Sequence, residues 1–295
     1  MRRLSYTVPP EEEGRTVRQL APRRFSLGEH AFRRLKARGR VMVNGVSVHA
    51  SAILHAGDRL EVLLDNGEGC KEGQLPPAYK GCAVRYLDQD LVIVSKAAPM
   101  PTLPGAYNRD DTLREALAVM LGEDAGTFRY HPVNRLDKGT SGLLAVARHD
   151  HAQRLMASRL HSGDFIREYL AVTEGIPEQE QGSIDAPIAR SGEGARRCVS
   201  AEGKPALTHY RVEGTAGGRA LLRLRLETGR THQIRVHLAS IGCPICGDYL
   251  YGTELPELAG RFALHSARLC CSQPVTGERI EVEEPLPQEL ERLLC

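Results

Sequence analysis

The 295-residue chain lacks any long hydrophobic run. No window approaches the roughly 20 consecutive apolar residues that a membrane-spanning helix needs. The opening stretch, MRRLSYTVPPEEEG, has no apolar middle region of the kind that defines a signal peptide. We therefore expect a globular protein in the cytoplasm, and the length allows about two domains.

A disulfide framework is also missing. The eight cysteines are scattered, at positions 70, 82, 198, 243, 246, 270, 271 and 295. Their spacing suits neither a set of disulfides nor two paired zinc knuckles, so we expect most of them to be reduced and buried. Only CPIC, residues 243–246, has the spacing of a redox or metal motif, and it has no second pair. We expect no metal.

Motifs of common cofactor and nucleophile sites are absent too. The chain has no complete Walker loop, no G-x-G-x-x-G loop and no H-E-x-x-H motif. GTSG, residues 139–142, is one residue short of the G-x-S-x-G nucleophile elbow. A hydrolase with Ser141 or Cys246 as its nucleophile is therefore a rival interpretation that lacks its motif.

A basic block stands out on this nearly neutral protein, whose net charge is +2. Residues 14–64 contain ten lysines and arginines against three acidic residues. Such a block favours a polyanionic partner, and a solvated basic face is nearly as good an interpretation. The candidate contact residues for such a partner are Arg33, Arg34, Lys36, Arg38 and Arg40.

The same block has the pattern of a helix followed by a hairpin. In LGEHAFRRLKARG, residues 27–39, Leu27, Ala31 and Leu35 recur every four residues, which predicts a helix with Gly39 as its C-cap. RVMVNGVSV, residues 40–48, predicts a hairpin that turns at its Asn-Gly pair, and AGDRLEVLL, residues 56–64, predicts another strand.

Through GRVMVNG and AGDRLEV, residues 14–64 resemble the small RNA-binding domain of ribosomal small-subunit protein four. Where that family opens its recognition helix with Ser-Arg-Ser, this chain has SLG at 26–28. We expect an N-terminal segment at 1–13, a polar linker at 65–80 and a second domain at 81–295.

In the second domain, predicted strands and helices interleave. TLREALAVML and DHAQRLMASRLHSG predict helices, the latter with Asp150 as N-cap and Gly163 past its end. GLLAVA predicts a buried strand, and IREYLAV and RALLRLRL predict half-buried strands. GRTHQIRVHLASIG predicts a helix with Thr231 as N-cap and Gly242 after its end.

Asp137, in NRLDKGTSG at residues 134–142, can be interpreted in two ways. Asp-Lys-Gly is ordinary turn chemistry, with Gly139 expected to supply a positive φ. The carboxylate also precedes the buried run LLAVA, so it should lie at the edge of a core, where it needs a partner. Local sequence alone favours the turn.

Two other segments hold candidate site residues. His232 and Arg235 are three residues apart, on one face of the first turns of a predicted helix, where an arginine makes an anion site. Taken alone, Arg235 fits a surface arginine better. Taken alone, Tyr169, on a strand face with Arg167 and Ala171, fits a half-buried core residue better.

Together these segments resemble the RluA-type pseudouridine synthases. The resemblance runs in order through NRLDKGTSGLLAVA, REYLAV, GRTHQIRVHLASIGCPICGDYLYG and FALHSARLCCSQPVTGE. It implies an α+β fold with a mixed, mainly antiparallel central sheet and a cleft along it. It also implies that the cysteines of CPIC occupy variable places in a segment whose pattern is Gly242, Pro244, Gly247 and Asp248.

The resemblance implies roles for particular residues. Asp137 would be the catalytic aspartate, Tyr169 the active-site tyrosine and Arg235 the arginine that pairs with the aspartate. Arg135 would enter the RNA stack and help to displace the uridine, although members commonly have His before that arginine and this chain has Asn134. The further substrate-binding candidates are Arg230, Thr140, His232 and Gln233.

The reaction that the resemblance implies is isomerisation of uridine to pseudouridine in rRNA or tRNA, with no cofactor. Asp137 could act as a nucleophile on the sugar or the base, or as a base that deprotonates the ribose. Each route needs a charged carboxylate, which Arg235 would favour. We expect a monomer with RNA as its partner, and a catalytically silent RNA-binding protein is the rival from another class.

Overall fold

The computed structural model describes residues 2–64, 75–105, 110–160, 162–192 and 194–295, and within them the fold is α+β, as predicted. The strands are β1 (Arg2–Thr7), β2 (Val41–Val43), β3 (Val46–Ser47), β4 (Arg59–Leu64), β5 (Ala83–Leu87), β6 (Leu91–Lys96), β7 (His131–Pro132), β8 (Ser141–Ala147), β9 (Ile166–Glu174), β10 (Gln181–Asp185), β11 (Ile188–Arg190), β12 (Arg197–Val199), β13 (Leu207–Ala216), β14 (Arg219–Leu226), β15 (Leu264–Ser272) and β16 (Arg279–Glu283). The α-helices are α1 (Val17–Arg24), α2 (Glu29–Ala37), α3 (Leu113–Leu121), α4 (Asp150–Arg159), α5 (Gln233–Ser240) and α6 (Gln288–Glu291). Single 3-10 turns lie at Pro10–Glu12, Pro256–Leu258 and Arg292–Leu294.

The N-terminal unit is a sheet of order β1-β4-β2-β3 with α1 and α2 packed on it. The predicted apolar stripe of Leu27, Ala31 and Leu35 is buried, although α2 itself begins only at Glu29. The predicted hairpin is confirmed, because Asn44 and Gly45 both have positive φ, 51° and 82°, between β2 and β3.

Strand β1 belongs to the same sheet, and it was not predicted from the sequence. It pairs antiparallel with β4 from Arg2↔Leu64 to Thr7↔Arg59. RRLSYT is mostly charged or polar, and only Leu4 in it is buried, so alternation is hard to detect. Residues 65–74 of the predicted linker lie outside the described residues.

The second unit is built on a larger sheet of order β10-β13-β14-β9-β15-β8-β6-β5, with β16 on β15 and β7 on β8. Among the described residues, β8 and β15 form its parallel pair and the other pairings are antiparallel, so the predicted mixed, mainly antiparallel sheet is confirmed. Every residue of β8 is buried, as its apolar run predicts. Strands β11 and β12 form a separate ribbon.

Gly142 allows β8 and β15 to meet. Its φ is 101°, and a Cβ built on it would lie 2.3 Å from the backbone oxygen of Ser266 on β15. Any larger residue would force these two strands apart. The loop that carries Asp137 enters the sheet at this junction.

Two helices begin one residue away from the predicted boundary. His149 rather than Asp150 caps α4, because its Nδ1 accepts from the Ala152 amide at 3.1 Å. The Asp150 carboxylate instead faces His131 and Arg34. His232 rather than Thr231 caps α5, with a left-handed φ of 58°.

The two units contact each other through charged side chains. Arg34 of α2 pairs with Asp150 of α4, and Arg2 Nε lies 3.5 Å from Asp90 Oδ2. The N-terminal unit therefore packs against the α4 side of the second unit.

No helix within the described ranges combines the length and the apolar character needed to cross a membrane.

Candidate active site

A cleft of about 410 Å³ opens along the larger sheet. Its walls come from the 135–140 loop, strand β9, the loop before α5 and residues 101–103. All eight catalytic and substrate-binding candidates line it, namely Arg135, Asp137, Thr140, Tyr169, Arg230, His232, Gln233 and Arg235. The fold therefore brings together residues that are up to a hundred positions apart in the sequence.

Backbone hydrogen bonds hold the loop that carries Asp137. Thr102 Oγ1 donates to the Leu136 carbonyl at 2.6 Å and accepts from the Leu136 amide at 3.2 Å. The Met100 amide donates to the Lys138 carbonyl at 2.9 Å. Leu136 and Lys138, which flank Asp137, are thus both anchored through their backbones, and this fixes the position of the carboxylate between them.

Gly139 is needed for space and not for a positive φ, so that prediction was wrong. It is absent from the described residues with positive φ. A Cβ on Gly139 would lie 2.5 Å from Phe262 Cε1, and Phe262 is almost fully buried. The glycine lets the loop lie directly on this aromatic ring.

Arg235 connects two carboxylates. Its Nη1 donates to Asp137 Oδ2 at 3.2 Å, while Nε and Nη2 bond both oxygens of Asp248 at 2.7 and 2.8 Å. Phe262 lies under the guanidinium, with 4.2 Å from Cζ to the ring centroid. Burial opposes its charge, yet Asp248 and Asp137 raise the pKa of Arg235 above its ordinary value.

Asp248 is the site residue that the sequence did not reveal. Its side chain is fully buried and the Arg235 side chain is 2% exposed, whereas that of Asp137 is 29% exposed. Asp248 therefore fixes the guanidinium by a two-bond contact, and Asp137 is the carboxylate that reaches the cleft. The signal was present in the segment Gly247-Asp248, but spacing does not show which arginine an aspartate meets.

His232 also approaches the Asp137 carboxylate. Its Nε2 is 3.8 Å from Asp137 Oδ2, and its Nδ1 is 3.0 Å from the Tyr251 hydroxyl, which accepts from the Arg197 amide. Tyr251 can therefore donate its proton to Nδ1, which leaves the Nε2 proton of a neutral imidazole facing Asp137. Burial lowers the pKa of His232, although Asp137 opposes this shift.

Tyr169 forms part of the cleft wall and is 5% exposed. Burial raises the pKa of its phenol, and the nearby Arg167 opposes the increase. The side chain is thus a neutral ring with a protonated hydroxyl at neutral pH, which suits it to stack against an uncharged base.

Gln233 shapes the loop before α5. Its Oε1 accepts from Thr228 Oγ1 and from the Arg230 amide, and its Nε2 donates to Thr208 Oγ1 and the Leu207 carbonyl, all within 2.8–3.1 Å. Every polar atom of this amide is thus engaged within the protein. Thr140 is also buried, and its amide closes the Asp137 turn at 3.1 Å.

Arg135 and Asn134 point to opposite environments. Arg135 is exposed at the rim of the cleft. Asn134, which stands where the family commonly has His, is buried, and its Oδ1 accepts from the Ala145 amide on β8 at 2.9 Å. Asn134 therefore anchors the loop to the sheet while its neighbour faces solvent.

The five basic candidates of the N-terminal unit do not line this cleft. Arg33 bonds Glu29 on its own helix at 2.5 Å, and Arg34 pairs with Asp150 of the second unit. Lys36 and Arg38 are exposed, and Arg40 is half-buried. Arg34 thus contributes to packing between the units.

A second, basic cavity of about 510 Å³ adjoins the cleft. The two share Gly229, Arg230 and Thr231. Three cationic residues from the β11–β12 region, Arg190, Arg197 and Lys204, line the second cavity. This surface was not predicted from the sequence, because its three cationic residues lie seven positions apart and form no compact basic block.

The hydrolase interpretation fails on access and ionisation. Ser141 Oγ lies 2.8 Å from His265 Nδ1, but neither residue is among those described that line the cleft. Burial raises the pKa of the Cys246 thiol to about 11, which keeps it protonated at neutral pH.

Among the described residues no group of three potential His, Cys, Asp or Glu ligands is close enough to hold a metal.

Comparison with known proteins finds similar chains and a matching family. Residues 90–240 match the model of the RNA pseudouridylate synthase family. The chain is 34% identical to ribosomal large subunit pseudouridine synthase D of Haemophilus influenzae over 311 residues, covering 99% of this chain and 94% of the relative. It is 33% identical to the uncharacterized RNA pseudouridine synthase YjbO of Bacillus subtilis over 257 residues, covering 87% and 90%. Human RNA pseudouridylate synthase domain containing 1 superposes with a TM-score of 0.56 at 26% identity, covering 71% of this chain and 85% of that one.

Proposed function

Since the chain belongs to the RNA pseudouridylate synthase family, and is therefore an isomerase acting on RNA, we propose that it converts a uridine of large-subunit rRNA to pseudouridine with Asp137 as its catalytic carboxylate. The names of the large-subunit relatives support the choice of rRNA. One observation carries the role of Asp137: it is the partly exposed carboxylate of the cleft, held 3.2 Å from a buried arginine.

The reaction needs little beyond a charged carboxylate in a shaped cleft. The N1–C1′ bond of uridine breaks, the uracil rotates and a C5–C1′ bond forms, while C5 loses a proton and N1 gains one. No atom or electron is supplied from outside, so we propose that no cofactor is required. Asp137 attacks the sugar or the base, or removes a ribose proton, and Arg235 stabilises the charge that each route needs.

The base must leave the RNA stack before it can react. Extraction costs a few kcal/mol, and stacking on an aromatic ring returns about 1 to 3 kcal/mol. We assign that stacking to Tyr169 in the cleft wall. The exposed side chain of Arg135, at the rim, is suited to fill the space that the base leaves.

The wider RNA contact is proposed on charge. The basic cavity beside the cleft, lined by Arg190, Arg197 and Lys204, supports a path for the RNA backbone. The N-terminal unit, with its resemblance to a ribosomal RNA-binding domain, is proposed as an accessory contact through Arg33, Lys36, Arg38 and Arg40. We propose that the protein acts as a monomer in the cytoplasm.

Tritium release tests the function. Large-subunit rRNA carrying uridine tritiated at carbon five is expected to release tritium with the wild-type protein and none with Asp137→Asn. Asp185→Asn, an exposed carboxylate on β10, is the matched control and should retain full release. Release from tRNA alone would overturn the choice of substrate, and no release from any rRNA or tRNA would favour a silent RNA-binding protein.

A further inference from the structure

Arg167 is a buried cation that has no anionic partner within the described residues. It lies on β9, two residues before Tyr169, is 4% exposed and lines the cleft. Neither Nε nor Nη2 has a hydrogen-bond partner in the part of the chain that the structure describes, although both atoms are buried. A buried charge without a partner costs free energy, so such a group calls for an explanation.

The other buried arginines of the described residues are compensated. Arg235 bonds Asp248 and Asp137. Arg261 pairs with Glu289 and donates to Ser141 Oγ at 2.8 Å. Each of these two arginines therefore has a carboxylate partner, whereas no carboxylate of the described residues pairs with Arg167.

The surroundings of this guanidinium are a glycine and an aromatic ring. Gly229, in the loop before α5, also lines the cleft, and a Cβ built on it would lie 3.3 Å from Arg167 Nη1. The ring of Phe165 lies 5.7 Å from Arg167 Cζ, a cation–π contact that is weaker than an ion pair. The arginine thus packs between Phe165 and Gly229 and still forms part of the cleft lining.

We propose that Arg167 binds a phosphate of the RNA at the nucleotide that enters the cleft. This inference rests on the proposed function, because phosphates are the anions that an RNA substrate carries. Arg167 and Tyr169 share a strand face, and two residues of a strand span about 6.6 Å. That separation suits a phosphate on the arginine and the base of the same nucleotide on the tyrosine. Arg167 would then position the nucleotide against Asp137.

A purely structural role predicts different behaviour. If Arg167 served mainly to pack on Phe165, its replacement would destabilise the free protein and leave RNA binding intact per folded molecule. If it awaits a phosphate, Arg167→Met removes an uncompensated buried charge while retaining most of the volume. The melting temperature of the free protein should then stay the same or rise.

The experiment compares Arg167→Met with Arg167→Lys and with Arg279→Met. Arg279 lies on β16, its side chain is 64% exposed and it does not line the cleft, so its loss controls for the change in net charge. Binding of an rRNA fragment is measured by filter retention over a series of salt concentrations. Melting temperatures and single-turnover tritium release are measured on the same preparations.

We expect Arg167→Met to reduce the slope of log K against log salt by about 0.7 to 0.9, the contribution of one phosphate contact. Arg167→Lys should keep the slope and recover part of the single-turnover rate, and Arg279→Met should match the wild type. An unchanged slope for Arg167→Met, or a lower melting temperature with normal turnover per folded molecule, would overturn the inference. If the wild type released no tritium, the proposed function would fail, while the salt slopes would still decide whether Arg167 binds phosphate.

Discussion

Replacement of Arg235 by Met should affect stability and catalysis for separate reasons. The change leaves Asp248, which is fully buried, without the cation that bonds both of its oxygens. Removing one partner of a buried ion pair costs about 3 to 5 kcal/mol. A domain of 150 to 250 residues loses about 2 to 4 °C of melting temperature per kcal/mol, so we expect a decrease of about 6 to 20 °C.

A second substitution separates the two effects. In the double variant Arg235→Met with Asp248→Asn, the buried carboxylate is neutral, so most of the lost melting temperature should return. The rate should not return, because Asp137 still lacks its cation. A hydrogen bond to a charged group is worth about 1.5 to 3 kcal/mol, which corresponds to a rate about 10 to 150 times slower.

Three measurements check this reasoning on each variant. Thermal unfolding by circular dichroism reports stability, single-turnover tritium release from rRNA reports the chemical step, and filter retention reports RNA affinity, which should change little. A double variant that regained its rate together with its melting temperature would show that Arg235 acts only through stability. A single variant with a normal rate and weakened RNA affinity would make Arg235 an RNA contact instead.

Three further predictions follow from individual contacts. Gly142→Ala should lower the melting temperature by at least several degrees, because its Cβ would lie 2.3 Å from Ser266 oxygen, and a variant as stable as wild type would contradict the close approach. Arg135→Ala should leave the melting temperature unchanged, because the side chain is exposed. It should slow the turnover of a base-paired uridine more than that of a uridine in a single-stranded oligonucleotide. Equal slowing on both substrates would argue against a role in base extraction. Burial lowers the pKa of His151 and His265 to about 4. Below their ordinary pKa near 6.5 the unfolded chain binds protons that the folded protein does not, so stability should fall as the pH decreases from about 6.5 to 4, and His265→Gln should reduce this dependence in urea titrations.

Much of the local structure could be predicted because local patterns cause it. The Asn-Gly pair sets the β2–β3 turn, the apolar run 143–147 becomes a fully buried strand, and the stripe of Leu27, Ala31 and Leu35 is covered. The predictions that failed locally were helix caps and one glycine. His149 caps α4 by accepting from the Ala152 amide, and His232 stands at the start of α5 in a left-handed conformation, neither of which is typical of histidine at a helix start.

The sequence by itself determined which residue types were available and, through several motifs in order, the family to which they belong. The structure decided what each of them meets. The segment NRLDKGTSG predicts a turn at Asp137, and Asp137 does lie in a turn. Helix α5, about a hundred residues later in the sequence, brings Arg235 to 3.2 Å from its carboxylate. Asp248 and Arg167 both lie in recognisable segments, but the sequence did not show what either side chain would meet, because pairing and burial depend on neighbours that are distant in the sequence and close only after the sheet has formed. Periodicity and turn chemistry are local, whereas the compensation of a buried charge is a property of the tertiary structure.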